Sequence, residues 1–346
     1  MAKKNRPCEE LKKRVLQLAK LGDFTEFQRV VNCYSLENCS WEFFCPKSGS
    51  TVIHFAVRSG CCDILKYFNE ICKDPAIFAR VDAHGKTPLH VAAQVGSLEC
   101  TKYLLSHNVA VDPFKKADWT PLMLACARGH LSIVQELVEA RADLQLRNKD
   151  GWTAFHIASR AGCMEILKFL HDRRHDLACT KSINCRTPLH TAALHGHFDV
   201  VVFLIDIGNV QIDQKDTCGN NAVMDAARSD STQIMHLLLQ KTKESEVCDV
   251  IGRNMLHIAA ECGSNDCIHY LIENEIADIN SKSVNGGQTA LHYAAKEGHV
   301  ETVKLLLHLG TDHRIQDSRG RTAADIASMK NHSECVQEIK NSEQLF

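Results

Sequence analysis

Hydrophobic and polar positions recur along the chain in a fixed order with a period of about 33 residues. When a threonine-like position is numbered zero, one apolar residue recurs at offset two and another at offset seventeen. Successive zero positions are 33 to 36 residues apart. They are Thr51, Thr87, Thr120, Thr153, Thr187, Asn221, Asn254, Thr289 and Thr322. A period of this length indicates a stacked array of one supersecondary unit.

Each repeat predicts a short helix, a turn and a second helix. The zero residue is a suitable N-cap, and proline follows it at Pro88, Pro121 and Pro188, where the first turn of a helix accepts it. Offset five is alanine in all nine repeats, which indicates that two helices pack too closely for a larger side chain. Offset nine is glycine except for Asp230 and Asn331. We expect this position to end the first helix in a left-handed conformation, which Asp and Asn tolerate best after glycine.

These features predict an all-α solenoid in which helix-turn-helix repeats are joined by hairpin loops. We expect a single domain over residues 1–346, with nine repeats over 49–330. Residues 8–34 carry the pattern in atypical form and are expected to form an N-terminal capping unit, and 331–346 a C-terminal capping helix and tail. Such an array offers a concave surface and no deep pocket of the kind that enzymes favour.

Charge and hydropathy exclude several classes of function. Lys and Arg number 40 against 42 Asp and Glu, a net charge of -2, so no global positive charge attracts nucleic acid or anionic lipid. The longest apolar run, residues 200–205, has six residues, far short of a membrane span. The first residues are charged where a signal peptide is apolar. We expect a monomer in the cytosol, and also in the nucleus, without membrane or direct nucleic-acid contacts.

The 17 cysteines and 19 histidines are candidates for chemistry. Cys100, Cys267 and Cys335 lie at offset thirteen, where other repeats carry Ile or Val, so we expect them to be buried thiols acting as small hydrophobes. No pair of CxxC motifs at zinc-binding spacing and no phosphate loop or hydrolase motif occurs. We therefore expect no metal, no cofactor and no enzymatic activity; a metal- or cysteine-dependent enzyme is the formal alternative.

The segments KTPLHVAAQVG, RTPLHTAALHGH and QTALHYAAKEGH resemble the ankyrin repeat. This resemblance implies a protein-binding function. It also implies a structural role for six histidines at offset three, whose rings would hydrogen-bond between neighbouring turns. They are His54, His90, His156, His190, His257 and His292.

Two hairpins depart from the repeat pattern. Lys116 and Lys149 lie at offset minus four, and Trp119 and Trp152 at offset minus one, each pair 33 residues apart. Equal offsets in successive repeats predict neighbouring positions, and hence a two-step ladder of lysine and tryptophan. Further cations surround it: Lys115, Arg128, Arg147, Arg160 and Arg186. Trp and Arg predominate at binding hot spots, so this patch is a candidate protein-binding site. The alternative is a solvated hairpin edge whose tryptophans pack on their neighbours.

A narrower resemblance lies between Val111 and Arg160, where VDPFKKADWTPLMLACARGH and RNKDGWTAFHIASR are similar to ankyrin-repeat cofactors of alanyl-tRNA synthetase. It implies binding to the catalytic domain of that synthetase and capture of misactivated serine on lysine side chains. The implied acceptors are Lys116 and Lys149. The third falls on Cys179, and Lys181, two residues further on, is the lysine that would take its place. The alternative is a scaffold that binds another partner through its concave face.

Overall fold

The computed structural model describes residues 9–33, 44–72, 75–243 and 247–343. These residues form twenty α-helices and no β-strand beyond two isolated bridges. The chain divides into two compact units, residues 1–177 and 178–346, which are described separately. The predicted all-α repeat fold is confirmed, whereas a single domain over the whole chain stays a prediction.

The first unit contains five helix pairs. The first helices α1, α3, α5, α7 and α9 pack on one another in sequence, and the second helices α2, α4, α6, α8 and α10 do the same. The bounds are α1 Glu9–Leu21, α2 Phe24–Cys33, α3 Val52–Ser59, α4 Cys62–Cys72, α5 Pro88–Val95, α6 Leu98–Ser106, α7 Pro121–Arg128, α8 Leu131–Glu139, α9 Ala154–Ala161 and α10 Met164–Arg173. Short 3-10 turns occupy Pro75–Ala79 and Lys116–Asp118.

The second unit repeats this arrangement with five more pairs. A 3-10 turn at His175–Cys179 precedes them. The bounds are α11 Pro188–Leu194, α12 Phe198–Asp206, α13 Ala222–Arg228, α14 Thr232–Lys241, α15 Met255–Cys262, α16 Asn265–Glu273, α17 Ala290–Glu297, α18 Val300–His308, α19 Ala323–Met329 and α20 Ser333–Glu343. In the last pair, α20 packs on α19 as the second helix of the ninth repeat.

The helix starts and turns follow the predicted residues. The side chain of Thr120 accepts a hydrogen bond from the Met123 amide, as an N-cap does. The nine alanines at offset five are fully buried between neighbouring helices. Asp230 and Asn331 replace the turn glycine with φ of 52° and 62°, so these two residues adopt the left-handed conformation that glycine supplies elsewhere.

Where a repeat carries histidine at offset three and the next hairpin belongs to the same unit, the ring joins the start of its first helix to that hairpin. In the first unit, His90 Nδ1 accepts from the Thr87 amide at 3.1 Å, and Nε2 donates to the Trp119 carbonyl at 3.0 Å. Since a carbonyl only accepts, the proton resides on Nε2. His54, His190, His257 and His292 make the same pair of contacts. Burial lowers the pKa of His90 to about 4 and keeps the ring neutral.

The cysteines at offset thirteen are fully buried, as predicted. Burial raises the pKa of Cys100 and Cys335, so these thiols are held in their unreactive form. Every cysteine whose side chain the structure describes is a free thiol. Within the described ranges, no three His, Cys, Asp or Glu side chains are grouped so as to hold a metal ion. None of the described helices has the length and apolarity needed to span a membrane.

Candidate functional site

Hydrogen bonds between main chains hold successive hairpins side by side. The Lys116 amide donates to the His84 carbonyl at 3.0 Å, and the Lys149 amide donates to the Ala117 carbonyl at 3.1 Å. The second unit repeats this contact where the Thr217 amide donates to Asn184 at 3.0 Å. Because the main chain makes the contact, the side chain at this position is not needed to hold the hairpins together. Lys116 and Lys149 therefore lie on adjacent hairpins of the first unit.

The ammonium groups of Lys116 and Lys149 point into solvent. Both side chains are exposed. Across the described part of the chain, neither Nζ atom makes a hydrogen bond or an ion pair. Among the described residues, these two amines thus have no partner to displace before they contact another molecule.

The hairpin that carries Lys116 has an unusual main-chain geometry. Ala117 and Asp118 both have positive φ, 65° and 57°. In the next hairpin Gly151 takes this conformation, and Asn148 Oδ1 accepts from the amides of Asp150 and Trp152 at 3.0 and 2.9 Å. Lys115 occupies the position of this asparagine and offers no such acceptor. The sequence signal for this difference is Lys115 at the position of Asn148 and Asp118 at the position of Gly151.

Lys115 packs against Trp119. Its Nζ atom lies 5.2 Å from the centroid of the indole ring and 3.4 Å from the Lys116 carbonyl oxygen. Burial lowers the pKa of Lys115, and the positive charge of Lys86 lowers it further. Trp119 is half-buried, so part of its ring remains available to a partner.

Trp152 has equivalent surroundings one repeat later. The Arg160 guanidinium lies 5.7 Å from the centroid of its ring, and the imidazole of His156 stacks on it at 6.2 Å with an interplanar angle of 25°. Arg147 donates to the Gly151 carbonyl of the same hairpin at 3.1 Å. The structure thus brings together one tryptophan and two of the predicted arginines in this hairpin and the helix that follows it.

Two cations outside the predicted set, Lys86 and Arg58, lie on a hairpin and at the end of a first helix of the same unit. Lys86 Nζ donates to Gln94 Oε1 at 2.7 Å, from the hairpin to the end of α5. The Arg58 guanidinium lies 5.7 Å from the centroid of the Phe55 ring in α3. Lys86 has the same repeat offset as Trp119, and Arg58 has that of Arg160. These shared offsets are the signal by which the sequence identifies them.

Arg128 is exposed at the end of α7. We define the inner face of the first unit as the surface formed by its hairpins and by the ends of its first helices. The predicted site residues on it are Lys115, Lys116, Trp119, Arg128, Arg147, Lys149, Trp152 and Arg160.

The remaining predicted residues lie in the second unit. Arg186 forms ion pairs with Asp216 at 2.9 Å and with the fully buried Asp225 at 2.7 Å. Lys181 donates to the side-chain oxygen of Gln214, and the exposed Cys179 contacts the Asn209 carbonyl at 3.0 Å. Arg186 therefore has an intramolecular role, and its part in partner binding stays a prediction.

Helix pairs stacked in one direction and joined by hairpins define a repeat protein of the protein-binding class. A family model described as Ankyrin repeats (3 copies) matches residues 15–117, 53–148, 109–181, 165–248, 189–283, 242–317 and 277–344. The chain belongs to the ankyrin repeat family. Repeats of this kind generally form non-catalytic modules for protein interaction.

Curated relatives share parts of the array. The chain is 30% identical over 166 residues to a probable E3 ubiquitin-protein ligase XBOS33 of Oryza sativa subsp. japonica, covering 36% of this chain and 32% of that protein. It is 32% identical over 124 residues to the human transient receptor potential cation channel subfamily A member 1, covering 35% and 11%. It is 38% identical over 78 residues to the human inhibitor of Bruton tyrosine kinase, covering 22% and 6%. The chain thus spans about a third or less of these relatives.

Proposed function

We propose that this protein binds the catalytic domain of alanyl-tRNA synthetase and captures misactivated serine on the side chains of Lys116 and Lys149. Lys181 is the third acceptor in this proposal. The capture prevents serine from reaching the alanine tRNA and so supports translational fidelity. It consumes the acceptor and needs no turnover, so the function is non-enzymatic. We place it in the cytosol, and also in the nucleus.

The chemistry requires only an accessible amine. The neutral Nζ atom attacks the carbonyl carbon of seryl-adenylate and forms an amide bond to it. The bond from that carbon to the phosphate oxygen breaks, AMP leaves with the electron pair, and the proton lost from nitrogen passes to water. Lysine serves this purpose because its unhindered primary amine is a nucleophile once it is deprotonated.

The observation that carries the proposal is the placement of Lys116 and Lys149 on adjacent hairpins. Their ammonium groups are exposed and, within the described residues, have no partner, while main-chain hydrogen bonds hold the two hairpins together. Trp119 and Trp152 lie beside them with part of each ring buried. Half-buried tryptophans are suitable anchors for a protein partner because their contacts cost little conformational entropy.

The test separates binding from capture. Full-length protein is incubated with the synthetase, serine and ATP; binding is measured by pull-down and serylation by mass spectrometry of lysine side chains. The double variant Lys116→Arg and Lys149→Arg keeps both charges but removes both primary amines. It should bind as the wild type does and lose most of the captured serine. Lys168→Arg on α10 is the matched control and should change neither quantity.

Trp119→Ala tests the binding half of the proposal. It should weaken the complex with the synthetase by more than about 1 kcal/mol, or roughly fivefold, if the ring anchors the partner. Undiminished serine on the double-arginine variant, or none on the wild type, would overturn the acceptor role. If the synthetase is not retained at all, the alternative is a scaffold that binds a different protein through the concave face.

A further inference from the structure

Six cations of the inner face of the first unit form no ion pair within the described part of the chain. They are Arg58, Lys86, Lys115, Lys116, Arg128 and Lys149. Arg58 and Lys115 lie over aromatic rings, at 5.7 and 5.2 Å from the ring centroids, and Lys86 donates to an amide oxygen at 2.7 Å. No carboxylate of the described residues forms an ion pair with any of the six. Within the described residues of the unit, therefore, no ion pair neutralises their positive charge.

In the second unit, the cations at the offsets of Lys86 and Arg58 form ion pairs with carboxylates of the same unit. Arg186 pairs with Asp216 and Asp225 at 2.9 and 2.7 Å. One repeat later Arg228 also pairs with Asp225, at 3.3 Å. Further ion pairs join Arg253 to Asp249 and Glu261, Lys296 to Glu297, and Arg321 to Asp317. Offsets minus one and seven thus carry cations in both units. Within the described residues, Lys86 and Arg58 at these offsets form no ion pair, whereas the cations named in the second unit do.

This difference decides which face attracts a charged partner. The two charges of an ion pair largely cancel, so the pair sets up only a weak electrostatic potential outside itself. A partner that breaks the pair must also offset the loss of the existing attraction. Cations without a carboxylate partner set up a positive potential that a negative surface can neutralise on binding. The first unit therefore has the surface suited to an anionic partner, although the whole chain has a net charge of -2.

We infer that the inner face of the first unit, from Arg58 to Lys149, binds an acidic surface of a partner protein, rich in Asp and Glu. This inference rests on the proposed protein-binding function and names the chemistry of the surface that is bound. The docking surface extends two repeats towards the N-terminus beyond the lysine and tryptophan hairpins, because it includes Arg58 and Lys86.

The distribution of acidic residues favours a protein over a nucleic acid. Asp118 and Asp150 are exposed on the hairpins beside Lys116 and Lys149. A continuous phosphate backbone would bring negative charge against both carboxylates, which is unfavourable. A protein surface can place carboxylates opposite the lysines and a neutral or positive group opposite each aspartate.

The test uses the full chain and three fluorescent probes: an oligoglutamate peptide, an oligoglutamine peptide of equal length, and a single-stranded oligonucleotide of equal charge. Binding is followed by fluorescence anisotropy at low and high salt. We expect the oligoglutamate to bind most tightly, with an affinity that falls about tenfold as salt screens the charges. The triple variant Arg58→Glu, Lys86→Glu and Arg128→Glu should lose at least about tenfold in affinity.

Lys168→Glu is the matched control, because it lies on α10, a second helix that is not part of the inner face. It should leave binding unchanged. Glutamine in place of glutamate at the same three positions should give an intermediate loss, and circular dichroism of each variant checks that it folds. Equal binding by wild type and triple variant, or tighter binding of the oligonucleotide than of the oligoglutamate, would overturn the inference.

The catalytic domain of the synthetase is then measured with the same variants. Binding that depends on neither salt nor the three cations would overturn the inference and leave the proposed function standing. Oligoglutamate binding that maps to the inner face, with no binding of the synthetase, would support the inference and overturn the proposed function. Loss of both interactions in the triple variant would support both.

Discussion

The Nε2 atom of His90 donates a hydrogen bond of 3.0 Å to the carbonyl oxygen of Trp119. Through its other ring nitrogen the same histidine accepts from the amide of Thr87, at the start of α5. One buried side chain thus joins a helix start in one repeat to the hairpin of the next. That hairpin carries Lys116, so a residue with no exposed surface positions the candidate acceptor.

His90→Ala should destabilise the first unit by about 2 to 3 kcal/mol. It leaves the Thr87 amide without its acceptor and removes one of two hydrogen bonds to the Trp119 carbonyl, which also accepts from the Lys115 amide. His84→Ala removes an exposed ring from the preceding hairpin and should change stability by less than about 0.5 kcal/mol. Urea denaturation followed by circular dichroism measures both. Equal losses in the two variants would contradict the role assigned to His90.

Stability should fall as the pH is lowered from about 6.5 to about 4. Burial lowers the pKa of His90 and His190 to about 4, whereas an unfolded histidine titrates near 6.5. Between these values the unfolded chain binds more protons, so acid favours unfolding, by up to about 3 kcal/mol for each of the two rings. Burial raises the pKa of Asp225 to about 6, and this group opposes the trend.

The measurement is the free energy of unfolding at a series of pH values for the wild type and His90→Ala. The variant lacks one of the titrating rings and should show a shallower dependence between pH 6.5 and 4. The same slope in both proteins would show that His90 is not protonated on unfolding.

Ala117→Gly should stabilise the first unit by about 0.5 to 1 kcal/mol. Ala117 has a φ of 65°, a conformation that costs a residue with a Cβ atom more than it costs glycine. Ala83→Gly in the preceding hairpin is the control. Ala83 does not have positive φ, so glycine there adds only entropy to the unfolded chain and should not stabilise. Thermal denaturation measures the change in melting temperature of both variants. Equal changes would mean that the main chain at Ala117 is not strained.

Arg186→Leu should destabilise the second unit by about 3 kcal/mol or more, since it removes one partner of the buried Asp225 carboxylate. Arg128→Leu, at an exposed arginine without an ion pair in the described residues, should change stability little. Denaturant unfolding of the two variants gives the comparison. If Arg186→Leu left stability unchanged and weakened only partner binding, Arg186 would be a binding residue and not a structural one.

The sequence by itself determined the repeat, its helix pairs and their joints. Apolar positions at fixed offsets, alanine at offset five and a turn residue at offset nine each depend on contacts that recur in every repeat. Asp230 and Asn331 were predictable for this reason, since the left-handed turn depends on the conformational preference of a single residue. The adjacency of Lys116 and Lys149 followed from their equal offsets.

Only the tertiary structure decided which charges are neutralised. Arg128 and Arg186 were indistinguishable as predicted binding residues, yet Arg128 is exposed and Arg186 forms ion pairs with Asp216 and Asp225. Those partners are 30 and 39 residues away in the chain. The repeat pattern does not contain this information, because an ion pair depends on the separation and direction of two side chains from different repeats. The packing of the repeats sets this separation and direction, and the residue pattern within one repeat does not specify them.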